Sequence, residues 1–182
     1  MATTAFRPAL DLMAQYASYH RDQRNIATHF VGIPLIVFAI GVLLSRLSLG
    51  LPGGLTFTPA ALLWIASTLW YLTRGNWVLG LSTSLVNGLL FALAEPLAAG
   101  SQGAWLAWGL GCFVLGWIIQ FIGHYYEGKK PAFVDDLVGL LVGPMFIVGE
   151  ALFALGWGRE MLGEIERRAG PTHLRDLARP IA

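Results

Sequence analysis

Three of the chain's four histidines stand in two polar clusters that bracket a long apolar stretch. The first cluster reads Tyr19-His20-Arg21-Asp22-Gln23-Arg24-Asn25-Ile26-Ala27-Thr28-His29, and the second Gln120-Phe121-Ile122-Gly123-His124-Tyr125-Tyr126-Glu127-Gly128-Lys129-Lys130-Pro131-Ala132. Imidazole is the commonest protein ligand for metals such as iron and zinc, so the chemistry on offer is metal binding. His124 and Glu127 are three residues apart, about 60° round a helix, and Gln120 lies one turn earlier on the same stripe. His20 and His29 are nine apart, about 180° on a continuous helix, and can share an ion only if the helix breaks between them. Asn25 as a helix C-terminal residue and Thr28 as an N-cap predict that break between Asn25 and His29. A plainer reading has each histidine bonding only backbone or water. Three together on one face weaken it, because ionisable groups at membrane depth are costly. His173 stands apart and reads as an exposed tail residue.

The elements that must position these side chains are hydrophobic helices. Of 182 residues, 55% are hydrophobic and 13% charged, against about 25% charged in ordinary soluble chains. Between Val31 and Tyr126 the only acids and strong bases are Arg46, Arg74 and Glu95. Such a chain needs lipid as part of its solvent. The reading is therefore all-α: a polytopic membrane helix bundle of four spans, with an amphipathic N-terminal helix and a re-entrant or kinked fifth segment. One integral membrane domain covers 1–182, divided into the amphipathic helix (8–24), the hydrophobic bundle (30–157) and a polar tail (158–182). The spans are Phe30–Ser45, about 58–73, Trp77–Ala98 and Ala104–Tyr126. The last two meet the roughly 20 residues that a crossing takes, and the first two are short. Leu51-Pro52-Gly53-Gly54 interrupts the first pair, and small residues (Gly80, Ser82, Ser84, Gly88) suit close packing of the third helix.

Net charge is +1, and basic residues alternate with acidic ones in the tail, so nucleic acid is not an expected partner. The lone Cys112 excludes an internal disulfide, and the first fifteen residues lack the apolar core of a cleavable signal. Arg7, Arg21, Arg24, Lys129 and Lys130 favour a cytoplasmic N-terminus and put both polar clusters on the cytoplasmic face. The segment Leu137–Trp157 contains Gly143-Pro144, where a helix loses a backbone bond. A hairpin bent there keeps the arginine-bearing tail on the same side.

Taken together, the residues form a recognisable set. His20-x4-Asn25-x3-His29-x4-Pro34, then Gln120-Phe121-x-Gly123-His124-x2-Glu127-x3-Pro131-Ala132-x2-Asp135, then Gly143-Pro144-x-Phe146-x3-Glu150 resembles the iron-dependent 2-hydroxy fatty acid dioxygenase family. The resemblance spans about Tyr16 to Phe153. It implies an Fe2+ enzyme of the lipid bilayer that uses dioxygen to shorten a long-chain 2-hydroxy fatty acid by one carbon, releasing CO2. Carried over, His20, His29 and His124 are the metal residues, with Glu127 beside them in the catalytic group. Arg21, Arg24, Asn25, Lys129 and Lys130 are candidates for binding substrate. Gln120, Asp135 and Glu150 are candidates for orienting the ligands. The membrane would be the inner membrane in a bacterium and the endoplasmic reticulum in a eukaryote. A different class remains open, a non-catalytic membrane scaffold or small transporter, for which Glu95-Pro96 inside the third helix is the supporting feature. A haem protein using two of the histidines is a third.

Overall fold

The computed structural model describes residues 6–50, 54 and 56–178. Residues 51–53 of the expected interruption, and the two ends of the domain at 1–5 and 179–182, lie outside the described residues. The order is α1 (Ala9–Ala17), α2 (Gln23–Ser45), α3 (Pro59–Leu72), α4 (Trp77–Ala98), α5 (Gln102–Glu127), α6 (Gly139–Ala154) and α7 (Arg159–Ala169). The architecture is helical apart from a two-residue antiparallel ribbon, Leu49–Gly50 with Thr56–Phe57, which closes the α2–α3 connection.

Among the described residues, three helices are long and apolar enough to cross a membrane: α2 with 23 residues, α4 with 22 and α5 with 26. Helix α3 has 14 residues and rises only about 21 Å, short of the roughly 30 Å hydrocarbon layer. Each long helix starts on a side-chain cap suited to it. Asp22 accepts the Arg24 amide, Asn76 the Leu79 amide and Ser101 the Ala104 amide. Helix α5 stops at Gly128, whose φ of 72° is a left-handed conformation that costs glycine nothing.

The break that the histidine spacing requires exists, but upstream of the expected place. Helix α1 ends at Ala17, α2 begins at Gln23, and α2 runs unbroken through Asn25, Thr28 and His29. The single helix expected over 8–24 is thus two pieces joined at Ser18–Asp22. Asp22 is the stronger cap, because its carboxylate takes both the Arg24 amide and the Arg24 guanidinium. Thr28 instead returns its hydroxyl to the Asn25 carbonyl inside the helix.

The connections fix which ends meet. Ala9 donates its amide to the Arg74 carbonyl, joining α1 to the α3–α4 turn. At the opposite end Arg46 donates to the Ala98 and Gly100 carbonyls and lies over the Trp105 ring. Both histidine-bearing clusters therefore lie at one end of the bundle. Helix α6 is continuous through Gly143 and Pro144, so the chain makes no hairpin there. It packs antiparallel along α1, with Gly143 against Tyr16 and Ile33, and Gly149 against Met13 and Leu79. All of these belong to the histidine end, so α6 lies across the end of the bundle. The chain reverses instead at Gly156 and Gly158, both with positive φ, and α7 returns against α1. The tail and the N-terminal cluster share one side, as expected, through a turn 12 to 15 residues later than Gly143-Pro144.

Close approach of α2 and α5 rests on glycines spaced by seven: Gly109, Gly116 and Gly123 face Leu43, Ile36 with Gly32, and Thr28 with Asn25. A methyl group at Gly116 would sit 2.7 Å from Ile36 Cγ1 and 2.9 Å from the Gly32 carbonyl oxygen. The carbonyl is backbone and cannot step aside. Gly116→Ala is expected to lower stability in detergent by about 1–3 kcal/mol, the usual cost of overpacking. Gly111→Ala, on the open face of the same helix with nothing within 4 Å, is the control and should be neutral or stabilising in thermal unfolding.

Candidate metal centre

His20 sits in the turn between α1 and α2, His29 two turns into α2, and His124 in the last turn of α5. Relative exposures are 0%, 1% and 7%, so all three are withdrawn from solvent. Each offers one ring nitrogen, and the three nitrogens lie within 4.8 Å of one another. Two of the rings are oriented by the same device. His20 Nδ1 bonds the Tyr16 carbonyl at 2.7 Å and His29 Nδ1 bonds the Asn25 carbonyl at 2.8 Å, each four residues back. A carbonyl only accepts, so in each neutral ring Nδ1 carries the proton and Nε2 is bare. Burial, then His29 and His124, hold the His20 pKa well below its ordinary value, so that ring stays neutral. The two bare Nε2 atoms stand 3.0 Å apart.

Facing lone pairs repel, and a cation touching both removes the repulsion. Two nitrogens about 2.1 Å from one ion at a right angle are about 3.0 Å apart. His124 adds a buried Nδ1 with no hydrogen-bond partner. The residues present fit a metal ion.

Glu127 does not join the three nitrogens. Its carboxylate accepts the Arg21 amide at 2.9 and 3.0 Å, the Asp22 amide at 2.8 Å and the Asn25 side-chain amide at 3.1 Å. It is 6% exposed and ties the turn carrying His20 to the helix carrying His124. Asn25 Nδ2 also donates to the Tyr19 carbonyl, so Asn25 supports both histidines of its cluster.

The basic residues expected to meet a substrate carboxylate are placed elsewhere. Arg21 is buried and donates to the Ala17, His20 and Gly170 carbonyls, with Glu150 at 3.7 Å. Arg24 pairs with Asp22, donates to the Arg175 carbonyl and covers the Tyr126 ring. Lys129 donates to the Ser18 carbonyl, and Lys130 pairs with Asp135, which also accepts from Tyr19. Asp22 is held down to about pKa 2, its burial outweighed by bonds from Arg24 and Arg175. The His173 side chain is exposed, as expected, but its backbone bridges to the Arg21–Gln23 strand of the turn. That contact had no sequence signal.

An apolar cavity of about 280 Å³ opens beside the histidines. From α2 it is lined by His29, Ile33, Ile36, Val37 and Ile40, and from α5 by Phe113, Trp117, Gln120 and His124. Both sets follow helical spacing, so one face of each helix forms a wall. Eleven residues separate His29 from Ile40, about 16 Å of rise. Pro131, Phe133, Gly143 and Pro144 cover the histidine end. Tyr16 and Phe146, which the sequence presents only as apolar positions, buttress His20: the Tyr16 ring stacks on it at 4.1 Å and Phe146 lies at 5.5 Å. Glu95 is exposed in the last turn of α4 beside Arg46, at the end opposite the histidines. It adds nothing to a polar pathway through the bundle.

The chain that forms this site and this cavity is similar in sequence to a known protein. It is 33% identical over 162 residues to the 2-hydroxy-palmitic acid dioxygenase MPO1 of Saccharomyces cerevisiae (strain ATCC 204508 / S288c), covering 86% of this chain and 88% of that protein. No solved structure matches. The family model described as 2-hydroxy-palmitic acid dioxygenase Mpo1-like matches residues 6–155, which include all three convergent histidines and Glu127, and by that match the chain belongs to the Mpo1-like family.

Proposed function

We propose that this chain is an Fe(II)-dependent dioxygenase that converts a long-chain 2-hydroxy fatty acid to the acid one carbon shorter. The observation that carries the proposal is the pair of bare Nε2 atoms 3.0 Å apart beside the third histidine. His20, His29 and His124 would hold the ion, and three neutral nitrogens leave further positions free, as non-haem oxygenases require. Bound there, iron would supply the redox chemistry with dioxygen that zinc lacks. The reaction balances as R-CH(OH)-COOH plus O2 giving R-COOH, CO2 and H2O, with no added reductant.

The protein's own part is orientation and exclusion of water. Carbonyls of Tyr16 and Asn25 fix the tautomers, so Nε2 of His20 and His29 need no rearrangement to act as ligands. The wall of Ile33, Ile36, Val37 and Ile40 takes an acyl chain and keeps solvent from the reacting end. The histidine end carries almost all the basic residues while the other end has Arg46, so we place the site on the cytoplasmic face.

Replacing His20, His29 or His124 by alanine should abolish oxygen-dependent CO2 release from 2-hydroxypalmitate and remove bound iron, measured by metal analysis of detergent-purified protein. His173→Ala should leave both unchanged. Full activity in folded His124→Ala would reject the proposal. A second expectation isolates Glu127 as a positioning residue. Glu127→Ala should weaken iron binding by about 10–100-fold, with Glu127→Gln intermediate, yet turnover per bound iron should hold once iron is saturating. A fall in turnover per iron instead would place Glu127 in the chemistry itself.

A further inference from the structure

Among the described residues, no acid, lysine or arginine lines the cavity. None of Arg21, Arg24, Lys129 and Lys130 lines it, and each is engaged elsewhere. Two polar groups that do line it have no protein partner. Gln120 is 4% exposed, and its Nε2 is buried without a hydrogen bond. Tyr16 is 8% exposed, and its hydroxyl makes no hydrogen bond to another described residue. A buried amide left unbonded costs about 1–3 kcal/mol, so the Gln120 amide marks an absent acceptor, and the Tyr16 hydroxyl is free to donate beside it.

Both residues line one cavity, which lets them serve one ligand. A Cβ on Gly32 would lie 2.6 Å from Gln120 Nε2, so that amide reaches α2 at residue 32. A Cβ on Gly143 would lie 3.2 Å from both the Tyr16 hydroxyl and Ile33 Cδ1, so the hydroxyl stands at the level of residue 33. Both donors thus sit about one turn, roughly 4.5–6 Å of rise, from His29 along α2. The phenol ring is fixed there by stacking on His20. Glycine at 32 and at 143 is what lets each donor reach this level.

We propose that Gln120 Nε2 and the Tyr16 hydroxyl form a neutral two-donor cradle for the carboxylate of the fatty acid. The assignment rests on the substrate class given above. It replaces the basic side chains with groups that need no counter-charge inside an apolar cavity. Both variants that test it keep their shape: Tyr16→Phe retains the ring on His20, and Gln120→Met retains the length.

Binding to the iron-loaded, detergent-purified protein is measured for 2-hydroxypalmitate, palmitate and the matching primary alcohol, alongside iron content. Each variant should retain iron, bind both acids about 10- to 100-fold more weakly, and bind the alcohol within about twofold of the parent protein. Unchanged acid affinity in both variants would overturn the cradle. Equal losses for acids and alcohol would also overturn it, since that marks a collapsed cavity. If the parent protein itself binds no 2-hydroxy acid, the substrate class fails and the cradle falls with it.

Discussion

The carboxylate of Glu127 is the interaction on which the site depends. It lies buried at the end of an apolar helix, where an unpaired charge is costly, and it is made tolerable by amide donors from Arg21, Asp22 and Asn25. The Arg21 and Asp22 amides belong to the turn between α1 and α2 and would otherwise be unsatisfied beside a helix start, and the Asn25 side chain comes from the first turn of α2. Each side solves the other's problem. The turn must therefore sit against the last turn of α5, and His20 is carried to His124 as a consequence.

A second constraint sets how near α2 and α5 come. Gly109, Gly116 and Gly123 let the backbones touch in the absence of a hydrophobic drive between helices in lipid. Gly123 adjoins His124, and its neighbours across the seam are Thr28 and Asn25, which adjoin and orient His29. Spacing and tautomer are thus fixed by one stretch of contact. The polar strap of α7 and the tail then covers the turn, through Gly170 to Arg21, His173 to the backbone of residues 21 and 23, and Arg175 to Asp22.

What the sequence made legible followed from periodicity and residue type. Three histidines among apolar helices could be read as one site because charge at membrane depth is expensive, and helices α4 and α5 announced themselves by length. What it hid were choices between similar local signals. Asn25 and Thr28 looked like a stop and a start, yet Asp22 wins because it bonds both an amide and a guanidinium. Gly143-Pro144 looked like a hairpin, yet the helix runs through it, with the Tyr71 hydroxyl of α3 bonding the Leu141 carbonyl beside the proline. The glycine heptad on α5 was in plain view but indistinguishable from other glycines, since Gly103 and Gly111 on the same helix touch nothing.

The basic residues carry the sharpest lesson, because charge is visible in a sequence and its partner is not. Arg21, Arg24, Lys129 and Lys130 surround the histidines in the chain, which invites the reading that they hold an anion. In the fold they tie carbonyls and carboxylates of the turn, the tail and the α5–α6 connection together. A guanidinium inside the cavity would need an anion at all times, including before any acid entered, and would be paired with whatever carboxylate lay nearest. Neutral donors avoid that competition. They leave a cavity with donors and metal-binding nitrogens at one end and apolar side chains along the rest, so a ligand with a polar head and an apolar tail is oriented by the same asymmetry that orients the bundle in its membrane.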